Sequence, residues 1–384
     1  MVDNNIKSKI KNIGFMGVAN IFGTIISGLF WLYIASLMGV ENYGQIGFLM
    51  GIAGIAKAVA IWGSDKALTV LTAKNINIQS TIYIISFVTT AITAIALYFM
   101  LDSIGLSVFL VGAIIFNLVI AETLGRKQYS LYSKYVILQK VFFVVLGMLF
   151  YYLIGPEGVL VGFGFSCLPF SYRIYQSLKN NKFNFKLLKK KFGFITNNYI
   201  NDLVDQFAVQ IDKIIIGPIF GFMLLGNYYF AMQIFNMLSM VPEIVAKYTL
   251  PEDSSGVSTK KIKILTIIIS VLLALTGIFV VPILIAAYLP DYSKSLEIIP
   301  IISLAIIPTT ITSMYTSKFF GNEQSKIILI SSIILIIILV PGIIILGKTM
   351  GIMGLAVIFV ISEIIKSIFL VITDIYLEKR KSFL

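Results

Sequence analysis

Charged side chains lie inside the long apolar runs of this chain, and they are the residues able to bind an ion or a charged group there. Lys57 and Asp205 are deep single charges, and Glu363 with Lys366 forms a deep pair of opposite sign. An ionised lysine at the centre of a membrane helix costs about 2.5–3.5 kcal/mol on insertion scales. Lys57 is therefore either a cationic contact for an anionic substrate or one half of an internal ion pair with Asp205 or Glu363.

The sequence lacks the residues that catalysis and metal binding usually need. The chain contains no histidine, the most common general base and metal ligand. Cys167 is the only cysteine, which excludes an intramolecular disulfide and a cysteine-based metal cluster. The connections between the apolar runs are also short, whereas a membrane glycosyltransferase or polymerase usually needs a sizeable loop with catalytic groups. We therefore predict no enzymatic activity, no cofactor and no metal site.

Twelve apolar runs fill the chain, and at about 1.5 Å per residue each is long enough to cross a hydrocarbon core of about 30 Å. The runs lie at 13–38, 46–68, 80–101, 105–123, 134–154, 158–176, 195–219, 224–246, 262–288, 295–316, 326–347 and 351–376. The apolar fraction is 58% and the mean hydropathy is +0.95, well above the values of a soluble domain. The sequence predicts an all-α integral membrane protein with twelve transmembrane helices.

The net charge of +12 indicates membrane topology rather than nucleic-acid binding. Most of the 30 lysines and arginines lie in the termini and in every second connection, and only Lys294 and Lys348 lie in the other connections. Because basic loops are retained on the cytoplasmic side, we predict a multi-pass protein of the cell (plasma) membrane with both termini in the cytoplasm. The first run is too long for the apolar part of a signal peptide, so we expect it to remain as a span.

A basic connection divides the runs into two sets of six. It carries six lysines among apolar side chains between Leu178 and Gly193, and it is either an amphipathic helix on the inner leaflet or a solvated loop. We predict an N-terminal six-helix lobe at 1–176, a basic cytoplasmic linker at 177–194 and a C-terminal six-helix lobe at 195–384.

Two glycine motifs recur in the same order in both sets. The pattern G-x4-G-x3-F begins at Gly39 and again at Gly221, and the pattern G-x2-G begins at Gly155 and again at Gly351. The recurrence indicates a duplicated six-span unit. Because six is even, the two copies enter the bilayer with the same orientation, and parallel repeats of this kind usually hold a substrate path between two lobes. This organisation is typical of transporters.

Polar side chains at helical spacing mark the spans that are expected to line a water-filled cavity. Spans seven and eight carry such stripes, and so do spans one and two, their counterparts in the proposed repeat; we infer a central cavity lined mainly by these four. The predicted substrate-binding residues are Lys57, Asn20, Thr24, Lys66, Asn201, Asp205, Lys213, Gln233, Asn236 and Lys366. The candidates for ion coupling are Asp205, Asp212, Glu243 and Glu363. Asp212 and Lys213 are adjacent, so we expect one to line the cavity and the other to reach outward.

Three further basic residues lie at predicted cytoplasmic helix ends. They are Arg126, Lys127 and Arg173. They are either ordinary anchors at the membrane interface or guides for a phosphate-bearing headgroup.

Three stretches carry a resemblance to a known family. IASLMGVENYG, from Ile34 to Gly44, is similar to an L-G-x-x-x-Y-G turn after span one. QIDKIIIG, from Gln210 to Gly217, precedes LGNYY and is similar to a D-[KR]-x-x-I-G … L-G-x-Y segment, and LPDYS follows span nine where a short acidic-aromatic turn is common. In this order the motifs resemble polysaccharide biosynthesis flippases of the O-antigen type, which belong to the multidrug/oligosaccharidyl-lipid/polysaccharide exporter superfamily.

The resemblance implies two six-helix lobes and alternating access that moves a polyprenyl-pyrophosphate-linked saccharide to the outer leaflet, for assembly of a cell-surface polysaccharide or glycan. Lys57 would contact the pyrophosphate, and the polar stripes would contact the sugars. The implied partners are the lipid-linked saccharide, membrane lipids, H+ or Na+ as a coupling ion, and polysaccharide-assembly proteins, with no nucleic acid. The alternative is a cation-coupled exporter of amphiphilic cations in the same fold. Multidrug members use an acidic residue in span one, and this span one has none.

Overall fold

The structure is a computed structural model that describes residues 2–180, 183–254, 260–322 and 324–382. Every regular element in these ranges is a helix. Seven helices are each long and apolar enough to cross a membrane, or eight when one bent pair counts as a single span, within the described ranges. The chain is a multi-pass membrane protein, and the count of twelve spans stays a prediction.

The helices follow the apolar runs in order along the chain. The first eight are α1 (Val2–Met38), α2 (Val40–Ile61), α3 (Ser64–Ala73), α4 (Gln79–Leu101), α5 (Ile104–Gly125), α6 (Tyr129–Ile154), α7 (Gly158–Cys167) and α8 (Ser171–Asn180). The others are α9 (Phe185–Phe220), α10 (Phe222–Ser254), α11 (Lys260–Leu275), α12 (Val281–Tyr288), α13 (Ser293–Ser303), α14 (Ile306–Gly321) and α15 (Ser325–Ser382).

Three of the predicted spans are broken helices. Run six becomes α7 and α8, joined by a 3₁₀ turn at Leu168–Phe170 that contains a proline. Run nine becomes α11 and α12, joined by a π-helical turn at Thr276–Val280. Run ten is part of a pair of helical segments, Pro290–Ser303 and Ile306–Gly321, that bend by 47°. Pro169 lies within the first break, Pro282 follows the second by two residues, and Pro300 and Pro308 lie on either side of the third within four residues. Proline weakens a helix because it lacks an N–H and its ring clashes with the preceding turn.

Span two ends earlier than the sequence predicts. The apolar run reaches residue 68, but α2 stops at Ile61, and Trp62 and Gly63 turn the chain with positive φ angles of 47° and 63°. A Cβ at Gly63 would lie 2.6 Å from the Ile195 carbonyl oxygen and 2.8 Å from the Tyr199 nitrogen. Only glycine permits the backbone of α9 to approach so closely, so the following residues form the separate helix α3.

The basic connection is shorter than the predicted linker at 177–194. Helix α8 continues to Asn180, and α9 begins at Phe185, so the last four lysines of this segment belong to the first turns of a 36-residue helix. Lys182 lies outside the described residues. The domain boundaries drawn from the sequence stay a prediction.

Single glycines separate consecutive helices at three other places. Gly39 lies between α1 and α2, and Gly221 lies between α9 and α10, with φ angles of 74° and 90°. Gly351 has φ 60° and ψ −136° and breaks α15 at the residue where the second G-x2-G motif begins. Left-handed backbone of this kind costs glycine little and other residues about 1 kcal/mol or more.

The chain divides into two compact units. Unit 1 comprises Met1–Phe30 and Leu49–Gln206, and unit 2 comprises Trp31–Phe48 and Phe207–Leu384. In unit 1 the largely buried helix α5 packs against α3, α4 and α7. In unit 2 helix α10 packs against α13 and α14, and α14 also packs against α15.

Candidate functional site

A cluster of charged side chains lies in unit 1 where α2, α3 and α9 meet. The Lys66 ammonium on α3 forms an ion pair with Asp202 on α9. Asp65 and Asp205 are close enough to Asp202 to act on its charge. Together with Lys57 on α2, these residues form a cluster of two lysines and three aspartates. The cluster therefore carries an excess of negative charge.

Lys57 is half-buried on α2 beside this cluster. The carboxylates that act on its ammonium are Asp65 and Asp202, not the Asp205 or Glu363 that the sequence suggested. Asp202 is already paired with Lys66, and among the described residues no ion pair within 4 Å involves the Lys57 ammonium. A buried charge without a close partner is costly, so the Lys57 ammonium is available to an anionic group.

Asp212 and Lys213 form a second charged group, in unit 2. Both are buried, and the Lys213 ammonium lies 3.2 Å from Asp212 Oδ1 and donates to the Val209 carbonyl oxygen at 2.9 Å. The Tyr228 hydroxyl donates to Asp212 Oδ2 at 3.0 Å. The expectation that one of the two adjacent residues reaches outward is wrong, because the long lysine side chain folds back along the helix. Each charge is satisfied within the protein.

The deep pair on α15 is half-buried in unit 2. Lys366 acts electrostatically on the Glu363 carboxylate, and Thr309 on α14 lies beside it. Tyr228 is close enough to be affected by the same carboxyl. Among the described residues no ion pair within 4 Å joins Glu363 to Lys366, so the role of this pair stays a prediction.

The uncharged members of the predicted stripes have mixed surroundings. Asn20 accepts a hydrogen bond of 3.4 Å from the Tyr132 hydroxyl, and Thr24 is half-buried beside it on α1. Asn201 donates to a carbonyl of its own helix at 3.0 Å. Gln233 hydrogen-bonds to Tyr229, one turn earlier. Asn236 and Glu243 on α10 are exposed. Their roles in binding or coupling stay predictions.

The two copies of the G-x4-G-x3-F motif pack against each other within unit 2. A Cβ at Gly44 would lie 2.0 Å from the Phe222 carbonyl oxygen, and a Cβ at Gly226 would lie 1.9 Å from the Val40 carbonyl oxygen. Each glycine therefore contacts the backbone four residues before the other glycine. The contact is reciprocal, and small residues are needed on both sides for the helices to approach so closely.

An aromatic cluster surrounds this crossing. Tyr43 is fully buried, with the rings of Trp31, Tyr229 and Tyr292 at centroid distances of 6.3, 5.1 and 6.0 Å. The Tyr292 hydroxyl donates to the Ala35 carbonyl oxygen at 3.0 Å. Tyr292 belongs to the LPDYS stretch and Tyr43 to the IASLMGVENYG stretch, so two of the three motifs that carry the family resemblance meet at one contact.

Sequence reasoning missed a buried carboxylate in unit 1. Glu122 on α5 is 2% exposed and accepts hydrogen bonds from Arg126 Nε at 2.7 Å, Arg173 Nε at 3.2 Å and the Tyr83 hydroxyl at 2.8 Å. The sequence does carry a signal for this ion pair, namely an acidic residue within an apolar run followed four residues later by an arginine.

A matching ion pair lies in unit 2, with the charges exchanged. Lys318 on α14 lies 196 residues after Glu122, the spacing that also separates the two G-x2-G motifs. Its ammonium lies 2.7 Å from Asp374 Oδ2 and 2.7 Å from Glu378 Oε1, both on α15.

Comparison with known proteins identifies the class of fold. No protein-family model matches the sequence, and no curated protein matches it. Solved membrane transporters share the fold. A multidrug resistance transporter of the MATE family, in the MOP superfamily, superposes with a TM-score of 0.70 and 14% identity over 95% of this chain and 99% of its own.

Two other solved structures share the fold. The lipid II flippase MurJ, in an inward closed conformation, matches with a TM-score of 0.76 and 14% identity over 93% of this chain and 87% of that one. A mutant of the Vibrio cholerae MATE transporter VcmN matches with a TM-score of 0.67 and 13% identity over 98% of each chain. At these identities the likeness establishes the fold alone.

Proposed function

We propose that this protein is a transporter that moves a polyprenyl-pyrophosphate-linked saccharide from the cytoplasmic to the outer leaflet of the cell membrane. The observation that carries the proposal is the Lys57 ammonium, half-buried in an apolar helix with no close ion pair among the described residues. A pyrophosphate would supply the anionic partner that this ammonium lacks. The similarity of the fold to a protein described as a lipid II flippase supports the same class of substrate.

The other predicted residues suit the remaining parts of such a substrate. Amide and hydroxyl side chains on α1 and α10, such as Asn20, Thr24 and Gln233, can exchange hydrogen bonds with sugar hydroxyls. The polyprenyl tail is apolar and stays in the lipid. Binding and release require no covalent step, in keeping with a transporter.

We propose that alternating access works through two helix contacts. One is the reciprocal crossing of Gly44 and Gly226, which follows the first predicted outer connection. The other is the contact of α3 with α9, where Lys66 pairs with Asp202 and Gly63 lies against the α9 backbone. Opening the contact of α3 with α9 exposes the substrate to the cytoplasmic side, and opening the crossing of Gly44 and Gly226 then exposes it to the outer side. This assignment adopts the predicted topology, with both termini in the cytoplasm.

The test is movement of a fluorescent polyprenyl-pyrophosphate saccharide across proteoliposomes that contain the purified protein, with and without an H+ or Na+ gradient. Lys57→Ala is expected to slow this movement tenfold or more (about 1.4 kcal/mol or more), and Lys57→Arg is expected to retain part of it. Lys140→Ala is the matched control, because Lys140 is a half-buried lysine in α6. Equal movement by the wild type and Lys57→Ala would remove Lys57 from the substrate site.

A second candidate function is export of amphiphilic cations, and one observation favours it. The cluster around Lys57 contains three aspartates and two lysines, so its balance is acidic. The same vesicles distinguish the two functions. Uptake of a lipophilic cation that depends on Asp205, with no movement of the pyrophosphate lipid, would establish the exporter and exclude the flippase.

A further inference from the structure

We propose that the end of α5 in unit 1 forms a second anion site, which binds a phosphate group through Arg126 and Arg173 and is separate from Lys57. The inference does not depend on which substrate the chain transports, because it rests on a different set of residues. Of the two sequence interpretations of these arginines, as interface anchors or as headgroup contacts, the proposal adopts the second.

Glu122 holds both guanidinium groups in position. Its carboxylate is 2% exposed and contacts Arg126 Nε at 2.7 Å and Arg173 Nε at 3.2 Å, and the Tyr83 hydroxyl occupies a further lone pair at 2.8 Å. Two arginines thus share one buried carboxylate. The two guanidinium groups and the one carboxylate together keep a net positive charge. If both guanidinium groups moved away, Glu122 would be left unpaired in the interior.

Most of the donor groups of the two arginines are left for a ligand. Each guanidinium has five N–H donors and contacts Glu122 through Nε only. Arg173 uses one more, from Nη2 to Gln128 Oε1 at 2.7 Å. Among the described residues no acceptor contacts the terminal nitrogens of Arg126. Planar forks with free terminal N–H groups match the oxygens of a phosphate.

Cavities border these donors on two sides. One, of about 460 Å³, is lined by Arg126, Lys127 and Gln128 together with polar residues of the α3–α4 connection. The other, of about 320 Å³, is lined by Arg126, Arg173 and polar residues of α8. Both volumes lie in the range of small-molecule sites. Glu122 is the one carboxylate among the described lining residues of the two cavities, so their walls are strongly basic.

Two further features of the larger cavity point to a ligand. Gln79 lines it, is 2% exposed, and its side-chain Oε1 is buried without a hydrogen-bond partner among the described residues. A buried acceptor without a donor costs about 1–3 kcal/mol, and a ligand hydroxyl would satisfy it. Lys127 and Asn75, which also line this cavity, both have left-handed backbones, with φ 57° and 56°. Strained residues of this kind concentrate at binding sites.

The equivalent turn in unit 2 lacks the positive charges. Helix α14 ends at Gly321, 196 residues after α5 ends at Gly125, and both ends are followed by the same backbone hydrogen bond, from Gln324 N to Phe319 O and from Gln128 N to Thr123 O. The sequence after the glycine is Arg-Lys-Gln in the first turn and Asn-Glu-Gln in the second. The same backbone hydrogen bond forms with Asn322 in the position of Arg126, so that bond does not require the arginine.

The ligand is a phosphate group that carries a neighbouring hydroxyl, and two sources supply it. One is the headgroup of an anionic membrane lipid, which the predicted position at the cytoplasmic interface would favour. The other is a soluble phosphate ester. The two share the chemistry that Arg126, Arg173 and Gln79 recognise, and the experiment separates them.

The experiment uses the full-length protein in detergent and measures binding of dioleoyl phosphatidylglycerol by native mass spectrometry, with sn-glycerol 3-phosphate as the soluble competitor. The test variant is Arg126→Asn, the residue found at the equivalent turn of unit 2. The matched control is Arg380→Asn, which removes the same charge from an exposed position near the end of α15. Thermal unfolding of both variants tests whether they remain folded.

Arg126→Asn is expected to weaken lipid binding about tenfold or more, while Arg380→Asn leaves it unchanged. Full retention of the lipid in the presence of millimolar glycerol phosphate would identify the lipid headgroup as the ligand. Displacement by glycerol phosphate that disappears in Arg126→Asn would identify a soluble ester. Equal binding by the wild type and both variants, or equal loss in both variants, would overturn the proposal, because either result means that Arg126 has no specific role.

Discussion

Gly226→Ala is expected to separate the two helices that cross at Gly44 and Gly226 in unit 2. The free-energy cost follows from the geometry of this crossing. The added Cβ would lie 1.9 Å from the Val40 carbonyl oxygen, whereas an ordinary contact is 3.4–4 Å. The obstructing atom belongs to the backbone, so the two helices must separate by about 1.5 Å or more. Overpacking of this kind costs about 1–3 kcal/mol, which shifts an equilibrium between closed and separated states about 5- to 150-fold.

The energy available to hold the contact closed is of similar size. Rings of three residues from the other side of the crossing lie around Tyr43, namely Tyr229, Phe230 and Tyr292. At about 0.5–1.5 kcal/mol each, these ring contacts contribute about 1.5–4.5 kcal/mol. The substitution therefore removes a large fraction of the stabilisation and leaves the separated state populated.

The two tryptophans of the chain make the test direct. Trp31 lies in this contact and is 8% exposed, and Trp62 lies beside Phe192 in unit 1. In a Trp62→Phe background the fluorescence of Trp31 alone reports the contact. Gly226→Ala is expected to increase its quenching by iodide or acrylamide, and Gly17→Ala is the control, because a Cβ at Gly17 meets nothing within 4 Å.

The double variant provides a second check on the same reasoning. Gly44→Ala alone is expected to act like Gly226→Ala. Because a single separation of the helices relieves both clashes, the two together are expected to cost less than the sum of the two alone. A folded Gly226→Ala protein in which Trp31 is as protected as in the parent would refute the geometry of the crossing.

Three other predictions concern individual side chains. Asp212→Asn is expected to lower the free energy of unfolding by about 3–5 kcal/mol, because Lys213 is left buried without its partner, as measured by thermal unfolding in detergent. Tyr43→Phe is expected to stabilise the protein by about 1–3 kcal/mol in the same assay, because the buried hydroxyl has no hydrogen-bond partner among the described residues. Lys66→Asp is expected to increase quenching of Trp62 in a Trp31→Phe background, and Lys66→Asp with Asp202→Lys is expected to restore protection.

Each of these has its own control and contradicting result. For Asp212→Asn, the double variant with Lys213→Met should recover part of the loss, and no recovery would contradict the ion pair. A destabilised Tyr43→Phe would mean that the hydroxyl has a partner. The Lys66–Asp202 pair is partly exposed, so its contribution is at most about 1 kcal/mol, and an effect that survives 1 M salt would argue against an electrostatic cause.

Several features of the candidate site were predictable because they depend on residue type and local spacing. The recurring glycine motifs were visible in the sequence, and Gly39 and Gly221 do separate consecutive helices with left-handed backbones. The position of Glu363 and Lys366 on one helix face was also predictable, since residues three apart are neighbours on a helix surface. In contrast, the end of span two was predicted seven residues too late, because the residues after Gly63 are apolar enough to continue the run and only the approach of α9 requires the turn.

The sequence by itself determined that this is a multi-pass helical membrane protein with a few charges at depth, because hydropathy and the cost of a charge in lipid are properties of a segment and its own residues. Only the tertiary structure decided which charges meet. Lys66 pairs with Asp202, 136 residues away, and Glu122 joins Arg126 to Arg173. Whether a lysine has an ion-pair partner depends on whether a neighbouring helix places a carboxylate within about 4 Å of its ammonium. Helical periodicity carries no information about that distance.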